Sequence, residues 1–141
     1  MTAQNYEQLL AAAPPAPDTT GVRARVAARN DVTGRRIVVL DDDPTGSQSV
    51  HGVQVVLALE DTERALAEPG AATFLLTNTR SLDPHDAGAL NERLGRELAR
   101  TVGPERLTLV SRSDSTLRGH LLVEVAALDR ALRSVTGRGF D

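Results

Sequence analysis

Three neighbouring aspartates, Asp41, Asp42 and Asp43, follow the apolar run Ile-Val-Val-Leu and precede Pro-Thr-Gly. Adjacent carboxylates repel one another, so a chain that keeps three of them together must gain something from the arrangement. Carboxylates accept hydrogen bonds from hydroxyl groups or bind a hard cation. Gly46 permits a tight turn, and Thr45 can cap a short helix whose N-terminus attracts an anion.

Two further polar clusters contain arginine. The stretch TNTRS holds Arg80, and SRSDSTLRG holds Arg112, Asp114 and Arg118. A guanidinium group binds a carboxylate or a phosphate through two parallel hydrogen bonds. Aspartates for hydroxyl groups and arginines for an acid group together suit a small polyhydroxy acid. In an alternative interpretation, Asp41 caps a turn and Arg112 pairs with Asp114 on the surface.

The segments that must position these clusters alternate between strands and helices. Apolar runs rich in β-branched residues predict strands at 36–40, 53–59, 72–79 and 106–112. Periodic patterns predict helices at 61–68, 83–100 and 117–135. The pattern predicts a Rossmann-like three-layer α/β domain with a mainly parallel sheet of at least four strands. Since ligands bind beyond the carboxyl ends of such strands, the three clusters should converge along one edge.

Each of the two longer predicted helices has an apolar stripe that should face the core. The first stripe consists of Ala87, Leu90, Leu94 and Leu98, and the second of Leu121, Val125, Leu128 and Leu132. Residues 1–34 are expected to form a peripheral extension with short helices at 5–13 and 22–29, because APPAPDTTG interrupts them.

The composition excludes several classes of protein. The chain has 141 residues, which suits one domain, and a net charge of −3 argues against a general nucleic-acid binder. It contains neither lysine nor cysteine, so a P-loop lysine, a Schiff base and a disulfide are excluded. The three histidines show no metal-ligand spacing, and no metal site is expected. With no signal peptide and no apolar run near the roughly 18 residues of a membrane span, we expect a cytoplasmic protein.

The order of DDDPTG, TNTRS and SDSTLRGH resembles the N-terminal, sugar-binding half of the four-carbon acid sugar kinase family, over roughly residues 35–135. Arg112 stands where many members have lysine, Asp41 where many have a small residue, and Pro44 where many have a large apolar one. The resemblance implies that a set of residues binds the substrate: Asp42, Asp43, Thr45, Gly46, Arg80, Arg112, Asp114, Ser115, Thr116, Arg118 and Gly119.

The resemblance also implies an activity. Family members phosphorylate acids such as threonate, erythronate or 3-oxo-tetronate with ATP and Mg²⁺, and Asp42 would then be the catalytic residue. In the family, a separate C-terminal domain binds the nucleotide, and nothing in this sequence resembles it. We therefore expect residues 35–141 to be a truncated acid-sugar-binding domain. The chain alone should bind neither ATP nor Mg²⁺ and should be inactive as a kinase.

Two alternatives remain open at this point. The sequence VVLDDDPT also fits the first motif of haloacid-dehalogenase-like phosphatases, with Asp41 as nucleophile and Asp43 as general acid and base. The chain could instead be a stand-alone acid-sugar binding module or a remnant. Because side chains alternate along a strand, Asp41 and Asp43 should lean one way and Asp42 the other, unless the backbone has already turned.

Overall fold

The computed structural model describes residues 6–43, 45–48, 50–67, 72–114 and 116–138. Within them, two N-terminal helices are followed by four strands and three further α-helices. The strands are β1 (Arg36–Asp41), β2 (Gln54–Val56), β3 (Ala72–Leu76) and β4 (Leu107–Arg112). The helices are α1 (Tyr6–Ala12), α2 (Val22–Thr33), α3 (Thr62–Ala67), α4 (Pro84–Val102) and α5 (Leu121–Thr136).

The four strands form one parallel sheet in the order β2-β3-β1-β4. Asp41 at the end of β1 pairs with Leu76 of β3 on one side and with Arg112 of β4 on the other. The carboxyl ends of these three strands are therefore level, and the segments that follow them start side by side. The predicted Rossmann-like α/β fold with at least four parallel strands is confirmed.

The core lies around the central strand β1. Val38, Val39 and Leu40 are all buried, as the continuous apolar run predicts for a strand covered on both faces. Leu75 of β3 and Leu94 and Leu98 of α4 join the same cluster. Burial of β1 up to its last residues holds the aspartates that follow it in a defined place.

Helix α5 packs on α4 through small residues and through only part of the predicted stripe, in which Leu128 is buried and Leu132 is half-buried. Ala127, Leu128 and Ala131 are buried, whereas Leu121 and Val125 are exposed, so the prediction for these two residues is wrong. A methyl group added to Gly95 of α4 would lie 2.8 Å from the Cβ atom of Ala131. A glycine of α4 thus lies directly against an alanine of α5 at this point, and the alanine face of α5 turns inward. The stripe predicted for α4 was largely right: Ala87, Leu94 and Leu98 are buried, and Leu90 packs partly buried against the core.

Several predicted boundaries need correction. The strand predicted at 53–59 is confined to Gln54–Val56, and the strand predicted at 72–79 ends at Leu76. Beyond Leu76, Asn78 adopts a left-handed conformation with φ 49° and opens a 3-10 turn at Thr79–Ser81. Helix α5 begins at Leu121 rather than at residue 117, because the preceding residues form a loop. Helix α2 continues to Thr33, four residues beyond the predicted end.

The two N-terminal helices contribute no buried residue. Asn5, at the start of the first predicted helix, lies outside the described residues. Among the residues that the structure describes, no helix has the length and apolarity needed to cross a membrane.

Candidate functional site

Asp42 connects the end of β1 to the turn that follows β3. Its Oδ1 atom accepts hydrogen bonds from the hydroxyl of Thr79 at 3.0 Å and from the backbone N–H of Arg80 at 2.8 Å. Asp42 is only 1% exposed, and its Oδ2 atom has no hydrogen-bond partner among the described residues. A buried carboxylate oxygen without a donor is unfavourable, so this atom is available to a donor from a ligand.

Asp43 is held in its ionised form by hydrogen bonds. Its Oδ1 atom accepts from the backbone N–H of Thr45 at 2.9 Å and from the Thr45 hydroxyl at 2.8 Å. Its Oδ2 atom accepts from Nη1 of Arg80 at 3.0 Å. The bonds from Thr45, aided by the Arg80 guanidinium, lower the pKa of Asp43 to about 2.

The loop after β4 brings in a third acidic group. Oδ1 of Asp114 accepts a hydrogen bond from the backbone N–H of Thr116 at 2.7 Å. Oδ2 is buried and has no hydrogen-bond partner among the described residues, although Arg80 lies 3.9 Å away and Arg118 lies 4.0 Å away. Hydrogen bonding by Thr116, together with these two guanidinium charges, holds the pKa of Asp114 below its ordinary value.

Gly119 allows this loop to close tightly. A Cβ atom at position 119 would overlap the backbone carbonyl of Asp114, and the Gly119 N–H donates to the carbonyl of Thr116 at 3.1 Å. The Nε2 atom of His120 then donates to the carbonyl of Leu82 at 2.9 Å, since a carbonyl can only accept. The loop after β4 is thus tied to the segment after β3.

Arg112, the last residue of β4, pairs with Asp41 and not with Asp114. Its Nη1 atom lies 3.3 Å from Oδ2 of Asp41. A Cβ atom on Gly46 would overlap both members of this pair, so the turn after β1 covers it closely. Gly46 does not adopt a positive φ. The glycine is therefore needed for close approach and not for a left-handed turn.

These groups surround one cavity of about 300 Å³ at the carboxyl edge of the sheet. It is lined by Asp42, Asp43, Arg80, Arg112, Ser113, Asp114, Thr116 and Arg118. The structure thus brings together residues from all three sequence clusters. Thr45, Gly46 and Gly119 support the walls without lining the cavity, and Ser115 lies outside the described residues.

Ser113 lines the cavity although sequence reasoning did not select it. Its hydroxyl is buried and has no hydrogen-bond partner among the described residues. Its position between Arg112 and Asp114 could have identified it from the sequence, because a serine between two site residues at a strand end lies at the same edge of the sheet.

The three aspartates do not alternate as the sequence suggested. Asp42 and Asp43 both contact the Arg80 turn and both line the cavity, while Asp41 faces Arg112 and does not line it. Asp41 and Asp43 do not lean together, and the exception allowed in the sequence analysis applies, because β1 ends at Asp41 and the backbone turns there. A phosphatase nucleophile at Asp41 would lie behind the Arg112 side chain and beneath Gly46.

A second group of polar residues lies at the start of α4. Ligand atoms of Asp83, His85 and Asp86 lie within 4.8 Å of one another, and all three residues are exposed. The Asp83 carboxylate already accepts hydrogen bonds from the backbone N–H groups of His85 and Asp86, as an N-cap does. The arrangement is therefore accounted for by the start of the helix.

Comparison with known families agrees with the placement of these clusters. The family model described as the sugar-binding N-terminal domain matches residues 37–137. The chain belongs to this family. It is the N-terminal domain of the four-carbon acid sugar kinases, so the resemblance seen in the sequence motifs is confirmed. Neither the curated proteins nor the solved structures gave a significant match to the sugar-binding domain.

Proposed function

We propose that this sugar-binding domain holds a four-carbon acid sugar, of the threonate, erythronate or 3-oxo-tetronate type, for phosphorylation by ATP. The observation that carries the proposal is the Oδ2 atom of Asp42, which is buried in the cavity wall and lacks a hydrogen-bond donor among the described residues. A sugar hydroxyl supplies that donor. The cavity of about 300 Å³ suits a small molecule.

Asp42 is suited to orienting a hydroxyl group. Two hydrogen bonds, from Thr79 and from the Arg80 backbone, hold Oδ1 in place and thereby fix the direction of Oδ2. In phosphoryl transfer, a carboxylate that accepts the proton of the attacking hydroxyl serves as the base or as the orienting group. We assign this role to Asp42. Asp114, whose Oδ2 atom also lacks a hydrogen-bond partner among the described residues, can accept from a second hydroxyl.

The acid group of the ligand needs a cation that is not already engaged. Arg80 is 20% exposed and bound to Asp43 at 3.0 Å, whereas Arg118 is 70% exposed and its Asp114 partner lies 4.0 Å away. A carboxylate can therefore form the bidentate bonds with Arg118 and receive the remaining donors of Arg80. The ligand is then held at both ends, by guanidinium groups at its acid and by carboxylates at its hydroxyls.

ATP and Mg²⁺ would come with a separate nucleotide-binding domain. Mg²⁺ and the nucleotide would supply the transferable phosphoryl group and neutralise its charge. The described residues of this chain would bind and orient the acceptor hydroxyl. The chain is thus proposed to be the substrate-binding part of a kinase.

Titration calorimetry with matched ligands tests the binding step. Threonate and erythronate should bind, while threitol, which lacks the carboxylate, and butyrate, which lacks the hydroxyls, should bind far more weakly. Equal affinity for butyrate and threonate would remove the assigned role of the aspartates. No binding of any of the acids would refute the proposal.

Product analysis tests the transfer step. We expect no phosphorylated acid when the 141-residue chain is incubated with ATP and Mg²⁺. Product should form once the nucleotide-binding domain of a four-carbon acid sugar kinase is supplied. Tight acid binding without product in either case would favour a stand-alone binding module.

A further inference from the structure

Each arginine that lines the cavity faces an aspartate, but the three pairs differ in kind. Arg80 is paired with Asp43 at 3.0 Å, and both residues line the cavity. Arg118 and Asp114, 4.0 Å apart, also line it together. Arg112 lines the cavity as well, but its partner Asp41 does not. Asp41 therefore lies behind Arg112 as seen from the cavity.

The Asp41 carboxylate is enclosed from the other sides. Its side chain is 4% exposed, against 44% for Arg112. Oδ1 accepts from the backbone N–H of Asp43 at 3.3 Å, and Gly46 lies so close that a Cβ atom there would overlap both charged groups. A charge at this depth is screened weakly by water, so its effect on the neighbouring guanidinium is stronger than that of a surface carboxylate.

We propose that Asp41 withholds Arg112 from anionic ligands and so sets the charge selectivity of the cavity. Among the described residues, three guanidinium groups and three carboxylates line the cavity, and Asp41 behind them adds a fourth carboxylate. The surplus negative charge admits a ligand with one acid group and disfavours a ligand with two. Asp41 is thus a positioning residue for specificity. The inference rests on the proposed function in one respect, namely that the ligand is an acid sugar.

A matched ligand series reads out this selectivity. Threitol, threonate and tartrate are four-carbon polyols with no, one and two carboxylates. In the Asp41→Asn variant, Arg112 becomes available, so affinity for threonate should rise about two- to fivefold, the range that measured couplings of partly exposed charge pairs span. Affinity for tartrate should rise more, and affinity for threitol should stay the same. A purely structural role of Asp41 would change all three alike.

Asp61→Asn is the matched control. It removes one carboxylate from an exposed ion pair with Arg64 on α3, away from the cavity lining. The change in net charge is the same as in Asp41→Asn, but it lies away from the cavity. The ratio of tartrate affinity to threonate affinity should therefore match that of the unaltered chain. If Asp41→Asn leaves that ratio unchanged in a protein that binds threonate, the proposal is overturned.

A second measurement needs no sugar ligand and separates this inference from the proposed function. Phenylglyoxal modifies accessible arginines, and peptide mass spectrometry gives the rate at each position. Arg112 should react faster in Asp41→Asn than in the unaltered chain and in Asp61→Asn. If no acid binds, the proposed function fails, while this rate still decides whether Asp41 controls Arg112. An unchanged rate would contradict the inference.

Arg112→Gln covers the case in which Asp41→Asn does not fold. Because Asp41 already offsets the charge of Arg112, threonate affinity should fall less in Arg112→Gln than in Arg118→Gln. Circular dichroism melts show which variants are folded. A loss in Arg112→Gln as large as that in Arg118→Gln would mean that Arg112 is free to bind the acid, which would overturn the inference.

Discussion

The backbone N–H of Arg80 donates a hydrogen bond to Oδ1 of Asp42 at 2.8 Å, across 38 positions of sequence. This bond joins the turn after β3 to the end of β1. It also fixes the Asp42 carboxylate, so that Oδ2 is the atom left for a ligand. Because the donor is a backbone group, any residue other than proline at position 80 keeps the donor, whereas replacing Asp42 with a residue lacking the acceptor would break the bond.

Replacement of Asp42 with asparagine should lower ligand affinity without lowering the stability of the fold. The amide keeps one oxygen for Thr79 and Arg80, but it replaces the free carboxylate oxygen with an N–H₂ group that cannot accept from a hydroxyl. Threonate affinity should fall by about tenfold or more, as for the loss of a charge-assisted hydrogen bond. Calorimetry measures the loss, with Asp61→Asn as the control. In a kinase carrying this domain, turnover should fall by about a hundredfold or more. Unchanged threonate affinity would place the hydroxyl elsewhere.

Replacement of Arg118 with glutamine should weaken binding of acids selectively. Its guanidinium is exposed and 4.0 Å from its aspartate, so the ligand carboxylate would be its principal partner. Threonate affinity should fall by about fivefold or more, while threitol affinity should hardly change. Arg130→Gln is the control, since Arg130 is also exposed and pairs with Glu92 on the α4–α5 surface. Equal losses for threonate and threitol would show that Arg118 does not bind the acid group.

Asp43 should make stability depend on pH in the acid range. Its pKa is lowered from 3.8 to about 2 in the folded chain, so folding favours the ionised form. The stabilisation is complete above about pH 4 and is lost as the pH falls from about 4 towards 2. Asp114, whose pKa is also lowered, acts in the same direction.

Urea denaturation between pH 2 and pH 6 checks this dependence. The decline in unfolding free energy should be shallower in Asp43→Asn, which has no carboxylate to protonate at this position. Thr45→Val keeps the backbone donor and removes the hydroxyl, so it should raise the folded-state pKa of Asp43. The decline should then be smaller and should end at a higher pH. Curves identical to that of the unaltered chain in both variants would rule out Asp43 as a source of the dependence.

A methyl group at Gly119 should disrupt the loop that carries Asp114. It would overlap the backbone carbonyl of Asp114, which cannot move aside as a flexible side chain could. We expect Gly119→Ala to lower the unfolding free energy by about 1–3 kcal/mol, the usual cost of overpacking, and to weaken threonate binding. Leu117→Ala in the same loop is the control, because the Leu117 side chain is fully exposed. Stability and affinity both unchanged in Gly119→Ala would mean that the loop has room to adjust.

The strands of the sheet, and the order in which the polar clusters follow them, could be predicted because both depend on local sequence patterns. Apolar β-branched runs marked all four strands, and the polar clusters marked where β1, β3 and β4 end. The exposed positions Leu121 and Val125 could not be predicted, since leucine and valine are apolar wherever they lie. The close approach of Gly95 to Ala131 decided which face of α5 is buried, and that contact spans two helices.

For the site, the sequence by itself determined which residue types stand at the edge of the sheet, because strand ends and turn residues are encoded within a few positions of one another. Only the tertiary structure decided their partners: Arg112 with Asp41, Arg80 with Asp43, and the Asp42 carboxylate with the Arg80 backbone. Three adjacent aspartates look equivalent in a sequence. They become different when the strand ends between Asp41 and Asp42, because the turn of the backbone directs one carboxylate behind Arg112 and two into the cavity.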